Sequence, residues 1–198
     1  MISDPLIRNR ATLGGSLAQA DPHGDWPAVV LAADATLHLR SLDDERTLPA
    51  HDFLSRNGTA PGMGRTALRP GELLTTVTLP AVDATTRSTY LKRTHPASGY
   101  AMLGVAVVAT FDADETCRDC RIAITGAGAV ATRAVRAEAQ LVGTPLTPDA
   151  IEGAATAAGD GVDFIGDLFG SAAYLAELLP IYVSRALAQI ADTPSTRS

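Results

Sequence analysis

Ile7–Asp25 reads IRNRATLGGSLAQADPHGD, and the fold turns on how this stretch is read. Thr12, Leu13, Gly14, Gly15 and Ser16 suggest a tight glycine turn with a hydroxyl on either side. Paired glycines let backbone N–H groups approach an anion with no Cβ in the way. A phosphate or pyrophosphate is the natural guest of such a cradle, with Thr12 and Ser16 as further donors. The same residues also fit a plain turn between two elements. Asp21 and Asp25 sit four apart, as an acid–base pair might, but a turn role for Asp21 and a helix-capping role for Asp25 fit better. The apolar run from Trp26 to Ala33 then forms a helix behind that cap.

Working outward, residues 1–7 are expected as strand end or loop, and Ala35 to Arg40 alternates as a strand. Arg46 to Pro49 pairs back on it as a hairpin, His51 to Arg56 makes a helical turn, and residues 57–64 form a loop. Leu73 to Leu79 is a strand ended by Pro80. Tyr90 to Arg93 is a strand, Ala101 to Phe111 a buried one, and Asp112 to Glu115 the turn into Arg118 to Thr125. Beyond Ala131 the composition becomes alanine-rich. Helices are expected over Arg133 to Val142 (closed by Gly143), from a Thr147 cap with Pro148 in the first turn to about Ala158, and from Gly170 to Ala191. Pro180 should kink or split the last one, and residues 195–198 form a polar tail. The fold class is α+β.

The 198 residues are 46% hydrophobic and 19% charged, the balance of an ordinary globular protein. Sixteen basic against twenty-two acidic residues give a net charge of −6, which argues against a nucleic-acid partner. No apolar run is long enough to cross a membrane, the N-terminus lacks the pattern of a signal peptide, and two cysteines make no disulfide framework, so the expected location is cytoplasmic. Cys117-x-x-Cys120 lacks partners for zinc or an iron–sulfur cluster, since His23, His38, His51 and His95 stand at no ligand spacing. On a regular strand residues 117 and 120 fall on opposite faces. Gly126-Ala-Gly-Ala-Val-Ala131 imitates a dinucleotide fingerprint, but no second strand ending in an acid follows it.

Ile7 to Ala35 resembles the second flavin loop in the FAD-binding medium subunits of molybdenum hydroxylases, the carbon monoxide dehydrogenase and xanthine dehydrogenase type. The resemblance continues through RPGELL, YLKRTHPASGYAML, ITGAGAVATRAVRAEAQLVG, TPDAI and the closing Arg185-Ala186-Leu187. It implies residues 1–85 as the second part of a vanillyl-alcohol-oxidase-like FAD-binding domain. Residues 86–198 would be a C-terminal domain of antiparallel sheet plus helices. It also implies an FAD site at Thr12, Gly14, Gly15, Ser16, Asp25, Leu74, Lys92 and Tyr100, with no catalytic residue and no metal. In that site Asp25 would accept from ribityl hydroxyls or lie near the pyrophosphate. Leu74 would touch the flavin, Lys92 would stabilise the reduced ring, and Tyr100 would lie against it. Arg133 and Glu138 match residues typical of the second domain.

The implied function is an electron relay from [2Fe–2S] clusters through FAD to an external acceptor. The implied partners are a molybdenum-cofactor large subunit and a [2Fe–2S] small subunit. The family's first subdomain, with its own glycine loop, has no counterpart before Ile7. The expectation is therefore a half-site that holds FAD weakly, completed by a separate N-terminal half, or else a scaffold subunit without flavin. Two further departures are Leu175 after Tyr174, where the family has arginine, and Pro180.

Overall fold

The computed structural model describes residues 2–54 and 66–193; the expected 57–64 loop and the polar tail lie outside them. The chain opens with α1 (Pro5–Arg8), a single helical turn whose N–H groups at Leu6 and Ile7 donate to the Asp4 carboxylate. The expected strand or loop is thus helical, because Asp4 caps it and Pro5 supplies a preset φ at the first position. Next come α2 (Leu13–Gln19) and α3 (Asp25–Ala32). A three-stranded antiparallel sheet follows, built from β1 (Thr36–Arg40), β2 (Glu45–Pro49) and, after α4 (Ala50–Phe53), β3 (Leu73–Thr78), in the order β2-β1-β3.

The second sheet is also antiparallel, in the order β4-β5-β6-β7, from β4 (Thr86–Thr94), β5 (Ala101–Phe111), β6 (Cys117–Thr125) and β7 (Thr132–Arg133). The chain ends in α5 (Val135–Leu141), α6 (Pro148–Ala157) and α7 (Ala172–Ala191). Thr147 caps α6 with Pro148 in its first turn, and Ser171 caps α7. α7 is one helix through Pro180, so the expected split does not occur.

β5 explains the architecture. Leu103, Val105, Val107, Ala109 and Phe111 join a core with Leu141, Ile151, Leu179, Val183 and Leu187 of the last three helices. Ala106 of β5 and Ala123 of β6 face the other way, into a core with Leu17, Ala28, Val30, Leu31, Leu37 and Phe53. A strand covered on both faces reads as a continuous apolar run, which is why Ala101 to Phe111 shows no alternation. The α3 side of the sheet is lined by small residues, which let the helix approach closely. At Gly104 an added Cβ would overlap the Tyr90 hydroxyl and come within 2.7 Å of the Thr125 methyl.

The loop before α3 is tied to the strand ends of the second sheet. Gly126 N–H donates to Pro22 O at 2.7 Å, and Ala101 N–H to His23 O at 3.1 Å. The Thr125 hydroxyl lies 2.7 Å from Pro22 O and 2.9 Å from Gly24 O. Gly126 holds φ +82°, and a side chain there would run into Met102 O at 2.5 Å. These bonds fix Asp21–Asp25 against the ends of β5 and β6.

Two expectations about the second sheet change. The register slips between Thr110 and Phe111, so Thr110 faces Asp119 while Phe111 faces Cys117. The extra residue is a bulge that breaks the two-residue alternation. Cys117 and Cys120 therefore both point into the core instead of to opposite faces. A hydrogen bond shared with Cys117, together with burial, pushes the Cys120 thiol above its ordinary value. The helix expected from Arg133 starts at Val135, because Thr132–Arg133 first pairs with β6. Arg133 then donates from Nε to Glu138 Oε1 (2.5 Å) and from Nη2 to Oε2 (2.7 Å). The buried Glu138 carboxylate also accepts Ile122 N–H at 2.8 Å, locking α5 to β6.

Candidate functional site

Thr12–Ser16 forms the start of a helix, not a turn. Thr12 is the N-cap of α2 in extended conformation; its Oγ1 accepts Gly15 N–H at 3.0 Å and its carbonyl accepts Ser16 N–H at 3.0 Å. Glycines lower helix propensity, but a threonine cap and packing on β3 and α3 outweigh that here. The N–H groups of Leu13 and Gly14 are in the first turn and have no intrahelical acceptor. They carry the positive end of the helix dipole, the environment that favours an anion.

Against this helix start lies a cavity of about 270 Å³ walled by Thr12, Gly15, Ser16, Asp21, Asp25 and Tyr100. That volume falls just below the usual range of ligand pockets. The structure thus gathers five of the eight expected residues around one space. Gly14 instead faces β3, where its would-be Cβ lies 3.5 Å from Leu74 O. Leu74 packs on the core that holds Leu17, Leu37 and Phe53, opposite Leu39. Gly15 needs no special φ. Its constraint is the 2.9 Å between an added Cβ and Thr12 Oγ1, so a side chain there pushes on the cap.

Asp25 does not cap its helix. Gly24 holds the N-cap position, and Asp25 is the first helical residue, buried with its side chain turned to β4. Lys92 Nζ donates to Asp25 Oδ2 at 2.9 Å and Oδ1 at 3.1 Å, and to Gly99 O at 3.0 Å. The Tyr90 hydroxyl donates to Asp25 Oδ1. Burial, then the bond to Asp25, pushes the Tyr90 phenol above its ordinary value, so it stays a donor. Lys92 is therefore the cation behind Asp25 and is absent from the cavity wall. Through Gly99 it also holds the turn that presents Tyr100.

Arg10 and Trp26 also wall the cavity. Nothing in the spacing singled them out, although Arg10 belongs to the quoted IRNR. A second cavity of about 230 Å³ lies on the other side of Tyr100 and shares Asp21 with the first; His23, His95, Asp167 and Phe169 line it. Among the described residues, no three His, Cys, Asp or Glu side chains converge as a metal site. No helix among them is long and apolar enough to cross a membrane.

Residues 1–82 match the FAD binding domain in molybdopterin dehydrogenase, and residues 88–190 match the CO dehydrogenase flavoprotein C-terminal domain. The chain belongs to the FAD-binding medium subunits of molybdenum hydroxylases.

Members of this family similar to it include the 6-hydroxypseudooxynicotine dehydrogenase complex subunit alpha of Paenarthrobacter nicotinovorans. The two are 35% identical over 95% of this chain and 62% of that one. The carbon monoxide dehydrogenase medium chain of Hydrogenophaga pseudoflava is 32% identical over 94% of this chain and 63% of its own length. In a solved structure of carbon monoxide dehydrogenase from the same organism, one chain superposes with a TM-score of 0.87 at 35% identity, covering 96% of this chain and 63% of that one. The chain thus spans just under two thirds of the length of these relatives.

Proposed function

We propose that this chain holds FAD across the cavity beside α2 and serves as the station through which electrons leave an assembled molybdenum hydroxylase. The observation that carries the reading is the cavity itself. It joins Thr12, Gly15 and Ser16 at the start of α2 with Arg10, Asp25 and Tyr100 in one wall. The residues fit the group in kind. Phosphate suits the Arg10 guanidinium and the hydroxyls of Thr12 and Ser16. Ribityl hydroxyls suit an acceptor such as Asp25, and a flat ring suits Tyr100. Gly15 leaves open the space beside Thr12 Oγ1 that a Cβ would fill.

Bound FAD would supply the exchange between one-electron and two-electron carriers. The chain's own residues bind and orient. Lys92 and Tyr90 hold and aim the Asp25 carboxylate, and the bond from Lys92 to Gly99 O sets the position of Tyr100. Leu74 and Gly14 pack together and keep α2 seated on β3.

The rest of the reading follows from family membership. The donor is a [2Fe–2S] small subunit, the substrate is oxidised on a molybdenum-cofactor large subunit, and the compartment is the cytoplasm, consistent with two free thiols. The boundary near residue 85 belongs to this reading and falls between β3 of the first sheet and β4 of the second. The test is the flavin content of the complex purified through this chain. One FAD per chain is expected, and a folded, assembled complex without flavin absorbance would establish the scaffold role instead.

A further inference from the structure

The loop that leads into α7 is tied down by hydrogen bonds, yet it holds its large apolar side chains in solvent. Ile165 N–H donates to Ala127 O at 2.9 Å, and Asp167 N–H to Gly170 O at 2.9 Å. Asp167 Oδ1 accepts Phe169 N–H at 2.8 Å and Gly170 N–H at 2.9 Å. Gly166 lies so close to the start of α7 that an added Cβ would sit 2.6 Å from Ala172 N. Despite these ties Leu168 is 91% exposed, and Ile165, Phe169 and Tyr174 also face solvent. Tyr174 packs beside Gly170, and Ile181 continues its exposed face two turns along α7. Apolar side chains grouped in one place on a fixed backbone mark an interaction surface.

Charge and size say what the partner is. Between Arg136 and Arg185 the sequence has no lysine, arginine or histidine. Asp163 and Asp167 alternate with the apolar residues of the loop, and Glu177 lies between Tyr174 and Ile181 on α7. Of the two flanking cations, Arg136 pairs with Asp160 at 3.2 Å and Arg185 lies over the Tyr182 ring. Bonds from Phe169 N–H and then Gly170 N–H hold the Asp167 carboxyl below its ordinary value, so it stays charged. The surface is apolar with acids set among its apolar groups. A second copy would meet it acid against acid, and nucleic acids and anionic membranes carry the same sign. Its few apolar side chains suit a transient redox encounter, which buries less than about 1,200 Å², better than a permanent subunit contact. Its position fits that role, because Phe169 also walls the cavity beside Tyr100.

We infer that this surface docks the external electron acceptor, a small protein that carries one electron at a time and meets it with a basic rim around an apolar centre. The inference rests on the FAD reading above and names the partner that reading leaves open. Each carrier takes one electron, so two successive encounters return fully reduced flavin to its oxidised form, with two protons released to solvent. Apolar contact from Leu168 and Phe169 holds the encounter, and the acids steer it.

The test uses the purified complex, with ferricytochrome c as the probe, a basic one-electron carrier. Calorimetric titration should show binding that weakens about tenfold between ~20 and ~150 mM salt. Leu168→Ser and Glu177→Lys should each weaken it about fivefold or more at low salt. Asp43→Lys makes the same charge change at the β1–β2 turn and should stay within about twofold of wild type. In anaerobic stopped flow, the chemically reduced complexes should pass electrons to ferricytochrome c in that same order. Benzoquinone, a small neutral acceptor, should be reduced at one rate by all four proteins. Binding that Asp43→Lys weakens as much as Glu177→Lys, or that Leu168→Ser leaves unchanged, overturns this inference, since net charge alone would then explain it. Loss of a subunit from the Leu168→Ser complex also overturns it, the surface then being a permanent contact. Both results leave the FAD reading standing. A folded wild-type complex without flavin, inert toward benzoquinone, overturns the FAD reading and the acceptor role with it.

Discussion

The two sheets of this molecule do different work. The second is enclosed: α3 covers one face and the last three helices the other, so β5 is buried along almost its whole length. The first is thin, with β2 and β3 largely in solvent and exposed leucines at Leu73 and Leu79. Yet the candidate ligand cavity belongs to the thinner half, at the starts of α2 and α3, and it is held in place by the thicker one through Lys92, Tyr90 and the Pro22–Gly24 carbonyls. Rigidity comes from the enclosed sheet and access comes from the open one.

The sharpest way to break this division is at Asp25, where the halves meet through a buried ion pair. Asp25→Ala leaves the Lys92 ammonium buried without its carboxylate, which should cost about 3–5 kcal/mol. A urea titration checks this. A second arm, Asp25→Asn with Lys92→Met, should cost less than the sum of the two single changes, because no lone charge remains. Additive losses would mean that the pair is not coupled.

The contrast between the sheets predicts unequal core costs. Leu187→Ala in the enclosed core should cost about 2–5 kcal/mol, while Leu48→Ala on half-buried β2 should cost about 1 kcal/mol. Equal shifts in unfolding midpoint would remove the distinction. At the cavity, Gly15→Val should cost only about 1 kcal/mol of stability, because pressure on the Thr12 cap outweighs the gain in helix propensity over glycine. Its effect on ligand retention should be far larger, and comparing the two measurements separates a binding role from a structural one.

The smallest effect concerns pH. Bonds from Arg46 (Nε to Oε1 at 2.7 Å) and then from Arg69 N–H hold the Glu72 carboxyl below its ordinary range. The folded-state value is depressed, so the stabilisation is present above the ordinary glutamate range, near pH ~4.3, and is lost as pH falls through the lower folded value. Glu72→Gln should flatten that acid limb by about 1 kcal/mol or less, since Arg46 is partly in solvent.

How much of this could be read from the sequence depends on how far each feature's causes extend. β5, the Thr147 cap of α6 and the Arg133–Val142 helix rest on neighbours within a few residues, and all were legible to within a residue or two. The clustering of Thr12, Gly15, Ser16, Asp25 and Tyr100 followed from the family resemblance. The position of Asp25 was not legible, because its partner Lys92 is 67 residues away and the cap depends on the extended backbone of Gly24. Gly14-Gly15 read as a turn because local propensity argues against helix, and only the Thr12 cap and packing on β3 reverse that. The shared face of Cys117 and Cys120 depends on one bulged residue, which no alternation pattern reveals. His23 and His95 gave no signal, since both come to line one cavity only when loops before α3 and β5 meet.

The central claim is that the cavity at the start of α2 holds flavin, and the most direct test is flavin stoichiometry in the assembled complex carrying wild-type chain or Gly15→Val. The account predicts one FAD per wild-type chain, and about a tenth of that or less in Gly15→Val with assembly and folding intact. A Gly15→Val complex that keeps a full complement of FAD would contradict it.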